Sequence, residues 1–149
     1  LKITTSRFGT IEIEEKQVIH LLNGMIGFPE EKRFVLLRHA EESPFFWFQS
    51  VEKDSLAFVL TDPLWFQPDY DIEISPEDAE RLELDRASEG IQTLVSVSIH
   101  PSNGTSEITA NLLGPIVINL RNRLAKQIVL YSSPYSHRHP IPIHENKKP

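Results

Sequence analysis

Apolar and polar positions alternate along this chain in short runs broken by proline, glycine and asparagine. Arg7-Phe8-Gly9-Thr10-Ile11-Glu12-Ile13-Glu14 alternates, as a strand with one face on a core does. Val18 to Leu22 and Phe34 to Leu37 are short apolar runs, and Leu56 to Leu60 stops at Thr61-Asp62-Pro63. From Ile91 to His100 the alternation settles on Val95, Val97 and Ile99, then meets Pro101-Ser102-Asn103-Gly104. An Asn-Gly pair suits a tight hairpin turn that needs positive φ, and Ile108 to Leu112 returns from it. Gly114 to Leu120 and Gln127 to Tyr131 complete the series. Between them lies Phe45-Phe46-Trp47-Phe48-Gln49-Ser50, four aromatic residues without a break. As a strand this run points Phe46 and Phe48 to one face and Phe45 and Trp47 to the other. One face can enter a core; the other needs a covering layer or stays open as a docking patch.

Only one stretch reads as helix. Ser75 can cap it, Pro76 takes the first helical position, and Asp78 stands three residues after the cap. Ala79, Leu82 and Arg86 then share a face, so the helix is expected over about residues 76–86. A second short turn is expected around Arg121 to Ala125. The fold class that follows is mainly β: a small, β-barrel-like single domain of about nine or ten short strands with one short acidic helix. The whole of residues 1–149 reads as one domain, and the proline-rich segment from about 136 to 149 reads as a flexible tail.

Charge changes this picture in one place. The net charge is −6, but residues 69–89 hold nine acids against Arg81 and Arg86, so this segment carries the whole excess. It repels phosphate backbones and attracts a basic protein surface; a solvated helix face is the plainer account of the same charges. The chain has no cysteine, which excludes disulfides, thiolate metal sites and thiol nucleophiles and fits a reducing cytoplasm. No apolar run is long enough for a membrane span, and Leu1-Lys2-Ile3-Thr4-Thr5 does not read as a signal peptide.

Catalytic chemistry has no evident home. The chain lacks G-x-S-x-G, H-E-x-x-H, a Walker loop and G-x-G-x-x-G. Gly24-Met25-Ile26-Gly27 is a turn needing close backbone approach, not a phosphate cradle. His137 and His139, alternate positions that share a strand face, could ligate a metal together with His144, but Pro140 and Pro142 interrupt the segment. His20, His39 and His100 stand singly, and Asp62, Asp69 and Asp71 lack the spacing of a cation loop. No cofactor is expected. In Asn111-Leu112-Leu113-Gly114-Pro115-Ile116-Val117-Ile118-Asn119, Pro115 belongs at an edge, bulge or strand start. The segment is then either a corner between strands or an edge where Asn111 or Asn119 meets a partner backbone.

Several segments together carry a resemblance. They are Phe8-Gly9-Thr10-Ile11, Gly24-Met25-Ile26-Gly27-Phe28, the Pro44 to Ser50 run, Ala57-Phe58, Asp62-Pro63, Asp69-Tyr70, the Asn111 to Asn119 segment and Gln127-Ile128-Val129-Leu130. In this order they resemble the FliW family of bacterial flagellar assembly factors over nearly the full length. Gly114 departs from the alanine expected there, and Phe48 from leucine. The resemblance implies a non-enzymatic cytoplasmic protein, monomeric when free, with two partners and no direct contact with nucleic acid or membrane. One partner is flagellin, held before export; the other is the dimeric RNA-binding repressor CsrA, whose capture relieves repression of flagellin translation. Repulsion of the messenger by the acidic segment, without occupation of the RNA site, would make that antagonism allosteric or non-competitive. On that scheme Asp69, Asp71, Glu77, Asp78, Glu80 and Glu83 face basic CsrA, while Phe45, Trp47 and Tyr70 hold flagellin. Core packing of the aromatic run competes with that role. A small-ligand or carbohydrate-binding barrel, its aromatics lining a pocket, is the alternative from another class.

Overall fold

The computed structural model describes residues 1–38, 40–84, 90–102 and 105–142. Among them run eleven strands: β1 (Lys2–Thr5), β2 (Gly9–Glu12), β3 (Ile19–Leu22), β4 (Arg33–Arg38), β5 (Phe45–Ser50), β6 (Ala57–Thr61), β7 (Ile91–Ser102), β8 (Thr105–Ala110), β9 (Ile116–Asn119), β10 (Leu124–Gln127) and β11 (His139–Pro140). One α-helix, α1 (Pro76–Arg81), joins them, with 3₁₀ turns at Glu15–Gln17 and Pro63–Trp65. The mainly β class and the single acidic helix therefore stand. No helix among the described residues is long and apolar enough to cross a membrane.

The β1–β2 hairpin is a separate two-stranded sheet, and the other strands follow the order β11-β8-β7-β6-β5-β4-β3-β10-β9. A further pairing of β9 with the first half of β7 turns this sheet back on itself, so it is ringed in part. Neighbours pair antiparallel except β3 and β10, which run parallel with Ala125 opposite Leu21. That parallel pair joins segments about a hundred residues apart, and no local pattern announces it.

The ring is filled by inward side chains. Ile19, Leu21, Met25, Phe34, Phe48, Leu60, Leu94, Ile116, Ile118 and Ala125 form one buried cluster. Within it the Phe34 and Phe48 rings stack 4.4 Å apart at 3°. The aromatic strand divides as its period requires: Phe48 is fully buried on the inner face, while Trp47 is half-buried on the outer one. Outside the ring Ile3 of the β1–β2 hairpin, with Ile13 and Val18 from the segment that follows it, covers Val35. A third cluster joins Tyr70, Val95, Ala110, Leu112 and Ile141.

Several expectations change in detail. Leu1 to Thr5 carry no strong alternation, yet β1 forms because Ile3 and Thr5 turn inward while Lys2 and Thr4 stay exposed. The alternating segment from Arg7 to Glu14 is thus one arm of a hairpin, β2. The turn expected at Arg121 to Ala125 is not helical. Asn119 and Asn122 accept through Oδ1 from the Arg121 and Leu124 N–H groups, Arg123 takes φ 66°, and Leu124 already lies in β10. The helix ends sooner than about residue 86 because Glu83 adopts φ 58°; Asp85 to Glu89 lie outside the described residues. So does the Asn103-Gly104 turn, although the register closes with Ser102 opposite Thr105. In the segment read as a tail, His139 pairs with Ala110 and Ile141 is buried, while residues 143–149 lie outside the described residues. Gly24 fulfils the close-approach reading: at φ 68° its position for a Cβ is 2.6 Å from the Phe28 carbonyl oxygen.

Candidate partner-binding surfaces

Two faces of different chemistry stand out. The first is acidic and is built by α1 and the segment leading into it. Ser75 caps the helix, its Oγ accepting from the Asp78 N–H at 3.0 Å, and Pro76 fills a position where no N–H is needed. Glu77 and Asp78 in the first turn and Arg81 in the last suit the helix dipole. Ahead of it, residues 71–75 alternate: Asp71, Glu73 and Ser75 are exposed, while Ile72 and Ile74 turn in against Leu82, Val117 and Ile128. The result is a ridge on which Asp69, Asp71, Glu73, Glu77, Glu80 and Glu83 all lie exposed. Asp71, Glu73 and Asp78 also border a surface hollow of about 560 Å³ walled by Tyr131 and Tyr135.

This ridge is clamped to the sheet at three points. Lys126 Nζ donates to Asp78 Oδ1 at 2.5 Å, with the two side chains only 21% and 15% exposed. Asn119 Nδ2 donates to the Leu82 carbonyl at 2.9 Å, and Arg121 Nη2 donates to the Glu83 carbonyl at 2.8 Å. Leu82 itself is fully buried. A short helix has little stability of its own, so these tertiary contacts hold its charges in place.

The second face is aromatic. Trp47 sits on the outer side of β5 with Val59 and Val97 beside it in register across β6 and β7. Phe8 meets the Trp47 ring edge-on at 6.3 Å, and the Arg7 guanidinium lies over it at 4.0 Å from the ring centroid. Phe45 meets Trp65 edge-on at 6.3 Å. Phe8, Trp65 and Ile99 are exposed, Ile99 by 64%. Phe45, Trp47, Val59 and Val97 are half-buried, so this side of the sheet keeps an apolar surface between the β1–β2 hairpin and the 62–72 loop.

The remaining candidates lie inside the fold. Tyr70 is buried, its hydroxyl donating to the Leu112 carbonyl at 2.7 Å, and its ring lies 4.6 Å from that of Tyr135. Burial, with Tyr135 adding in the same direction, pushes its pKa well above the usual tyrosine value. Asn111 Oδ1 accepts from the Leu113 and Gly114 N–H groups, Pro115 is buried directly before β9, and Asn119 is only 2% exposed. These three make the corner between strands, not an exposed edge. Asp78 is the partner of Lys126, which leaves it less open than its neighbours on the ridge. Sequence reading missed Arg7, Phe8, Trp65 and Ile99 on the aromatic face. Large apolar residues in turns, and Ile99 within the alternating run of β7, were the available signal. Among the described residues no group of His, Asp and Glu gathers as a metal site; His39 and His144 lie outside them.

Comparison with known proteins settles the family. Residues 2–141 match the model of the FliW protein family. A flagellar assembly factor FliW of Geotalea uraniireducens is 45% identical over 141 residues, covering 95% of this chain and 84% of its own. That of Bacillus subtilis is 38% identical over 140 residues, covering 93% and 95%. A crystal structure of the flagellar assembly factor FliW superposes with a TM-score of 0.82 at 37% identity, covering 94% of this chain and 96% of that one. With an ordered set of motifs, a partly ringed sheet and relatives matched over most of their own length all in agreement, the chain belongs to the FliW family.

Proposed function

We propose that this chain is a non-enzymatic flagellar assembly factor of the cytoplasm. It holds flagellin before export and, once flagellin leaves, binds the CsrA dimer and relieves its repression of flagellin translation. The observation that carries this reading is the family match over residues 2–141; the two surfaces supply a physical means. A repressor that grips RNA presents basic surface, which the exposed carboxylates of Asp69, Asp71, Glu73, Glu77 and Glu80 attract. The same carboxylates repel messenger phosphates without occupying the RNA site, so the antagonism is allosteric. The aromatic face around Phe45 and Trp47 offers flagellin apolar contact area with a cationic rim at Arg7. The ring interior is filled by packed side chains, so binding falls to these outer faces.

A competition pull-down tests the reading. Immobilised protein is offered purified CsrA and a flagellin C-terminal fragment, alone and together. Capture of each, with flagellin displacing CsrA, is the expected result, and capture of neither ends the proposal. Replacing Glu73, Glu77 and Glu80 by lysine is expected to weaken CsrA capture while sparing flagellin. Unchanged CsrA affinity at low salt removes the acidic ridge from the account.

A further inference from the structure

Beside the aromatic face the sheet opens. The β6–β7 ladder holds Thr61 opposite Val95, Leu60 opposite Ser96 and Val59 opposite Val97, and there it ends. Yet β6 begins two residues earlier, at Ala57, and β7 continues to Ser102 against β8. In an antiparallel sheet successive residues direct their N–H and C=O groups to opposite neighbours. The Ser50 N–H donates to the Leu56 carbonyl and the Asn111 N–H to the Ser96 carbonyl, which fixes the alternation on both strands. Ala57 on β6 and Ile99 on β7 therefore direct their backbone groups into the opening, where the register does not join them. A cavity of about 490 Å³ lies there, lined by Arg7, Trp47, Ala57, Val59, Val97 and Ile99 among others.

We infer that this cleft accepts a short extended peptide segment by strand addition, with one apolar side chain against Trp47 and Ile99 and a carboxylate at Arg7. The charge preference follows from Arg7. Its guanidinium stacks on Trp47, and among the described residues no carboxylate forms an ion pair with it. Asp54 lines an adjoining hollow with Arg7 but makes no ion pair there either. Backbone groups supply affinity and the flanking side chains supply choice, as in other strand-addition sites. Pro101, lacking an N–H, ends the usable edge of β7 two residues past Ile99 and limits the addition to a few residues. The inference does not depend on which protein supplies the segment.

The test is an NMR titration of the full chain with the blocked pentapeptide acetyl-Thr-Val-Thr-Glu-Thr-amide, whose valine and glutamate share one strand face. Slowed exchange of the Ala57 and Ile99 amides at millimolar peptide is the expected result. N-methylation of the central backbone, which deletes a ladder bond, is expected to weaken binding by about tenfold. Glutamine in place of the peptide glutamate, or Arg7→Gln in the protein, is expected to weaken it by about two- to fivefold. Ala57→Pro removes one cleft-facing donor, and its melting curve reports whether the fold survives. Absence of binding at millimolar peptide overturns the inference, as does equal affinity for the N-methylated peptide or binding without protection of Ala57 and Ile99. A chain that captures flagellin and CsrA yet ignores these peptides refutes the cleft alone.

Discussion

Replacing Asn119 by alanine probes how the acidic ridge is held. The Asn119 side chain is 2% exposed and works in both directions. Its Nδ2 donates to the Leu82 carbonyl at 2.9 Å, and its Oδ1 accepts from the Arg121 N–H at 2.9 Å. Each such bond contributes about 1 kcal/mol net, and the emptied site adds a packing loss of similar size. The Leu82 carbonyl keeps a long contact from Asn122 Nδ2 at 3.4 Å, which tempers the loss. The expected destabilisation is about 2–3 kcal/mol, or roughly 5–10 °C in Tm for a chain of this size. Urea denaturation followed by ellipticity measures it, with an unchanged m-value showing that the unfolded state is not the source. Asn122→Ala is the control: its bonds to Leu82 and Glu83, at 3.4 and 3.2 Å, are longer and more exposed, and only the bond its Oδ1 accepts from the Leu124 N–H, at 3.0 Å, is of ordinary length, so it loses about 1 kcal/mol, less than the Asn119 variant. On the proposed function, CsrA capture is expected to fall in the Asn119 variant because the ridge loses one clamp, although no acid has changed. A stability loss below about 0.5 kcal/mol, or equal losses in both variants, refutes the reasoning.

Other outcomes follow from the same contacts. Trp47→Ala is expected to abolish capture of the flagellin fragment with a stability loss of about 1–2 kcal/mol, against about 3–5 kcal/mol for Phe48→Ala in the core, as read from paired urea melts. Gly24→Ala combines φ 68° with a 2.6 Å approach to the Phe28 carbonyl oxygen, so it is expected to cost more than about 1 kcal/mol in the same assay. Tyr70→Phe removes the bond to the Leu112 carbonyl and is expected to lose about 1 kcal/mol at neutral pH. Because the folded state raises the Tyr70 pKa, its contribution is complete below the unfolded value of about 10 and is lost as pH rises above it. Wild-type stability therefore falls in that alkaline range, and the phenylalanine variant falls less steeply in urea melts across it.

What was legible in the chain was local. The period-2 alternation located most strands, divided Phe45 to Phe48 between two faces, and gave the start of α1 from Ser75-Pro76. It could not give the end of α1, because Glu83 turns to positive φ under contacts from Asn122 and Arg121, nearly forty residues away in sequence. Tyr70 read as a partner contact, and Asn119 stood open between a corner and an edge, for the same reason. Their acceptors, the carbonyls of Leu112 and Leu82, lie 42 and 37 residues distant. The strand read at Gln127 to Tyr131 lies earlier, as β10 over Leu124 to Gln127, because half of its support comes from β3 in parallel pairing. Acid content marked the ridge at once, yet only the fold separates Glu77 and Glu80, facing solvent, from Asp78, turned to Lys126.

The parallel β3–β10 pairing bears on how the molecule is made. A ribosome delivers Ile19 to Leu22 long before Leu124 to Gln127, and the Ile26 N–H waits for Gln127 Oε1 across 101 positions. Until that distant stretch emerges, the nascent sheet carries an open border along β3. Closure is then a late, high-contact-order event of the kind that slows folding and invites misassociation. Fragments truncated before Leu124 are consequently expected to aggregate during synthesis, and the segment that carries β10 acts as the clasp for the strands translated ahead of it.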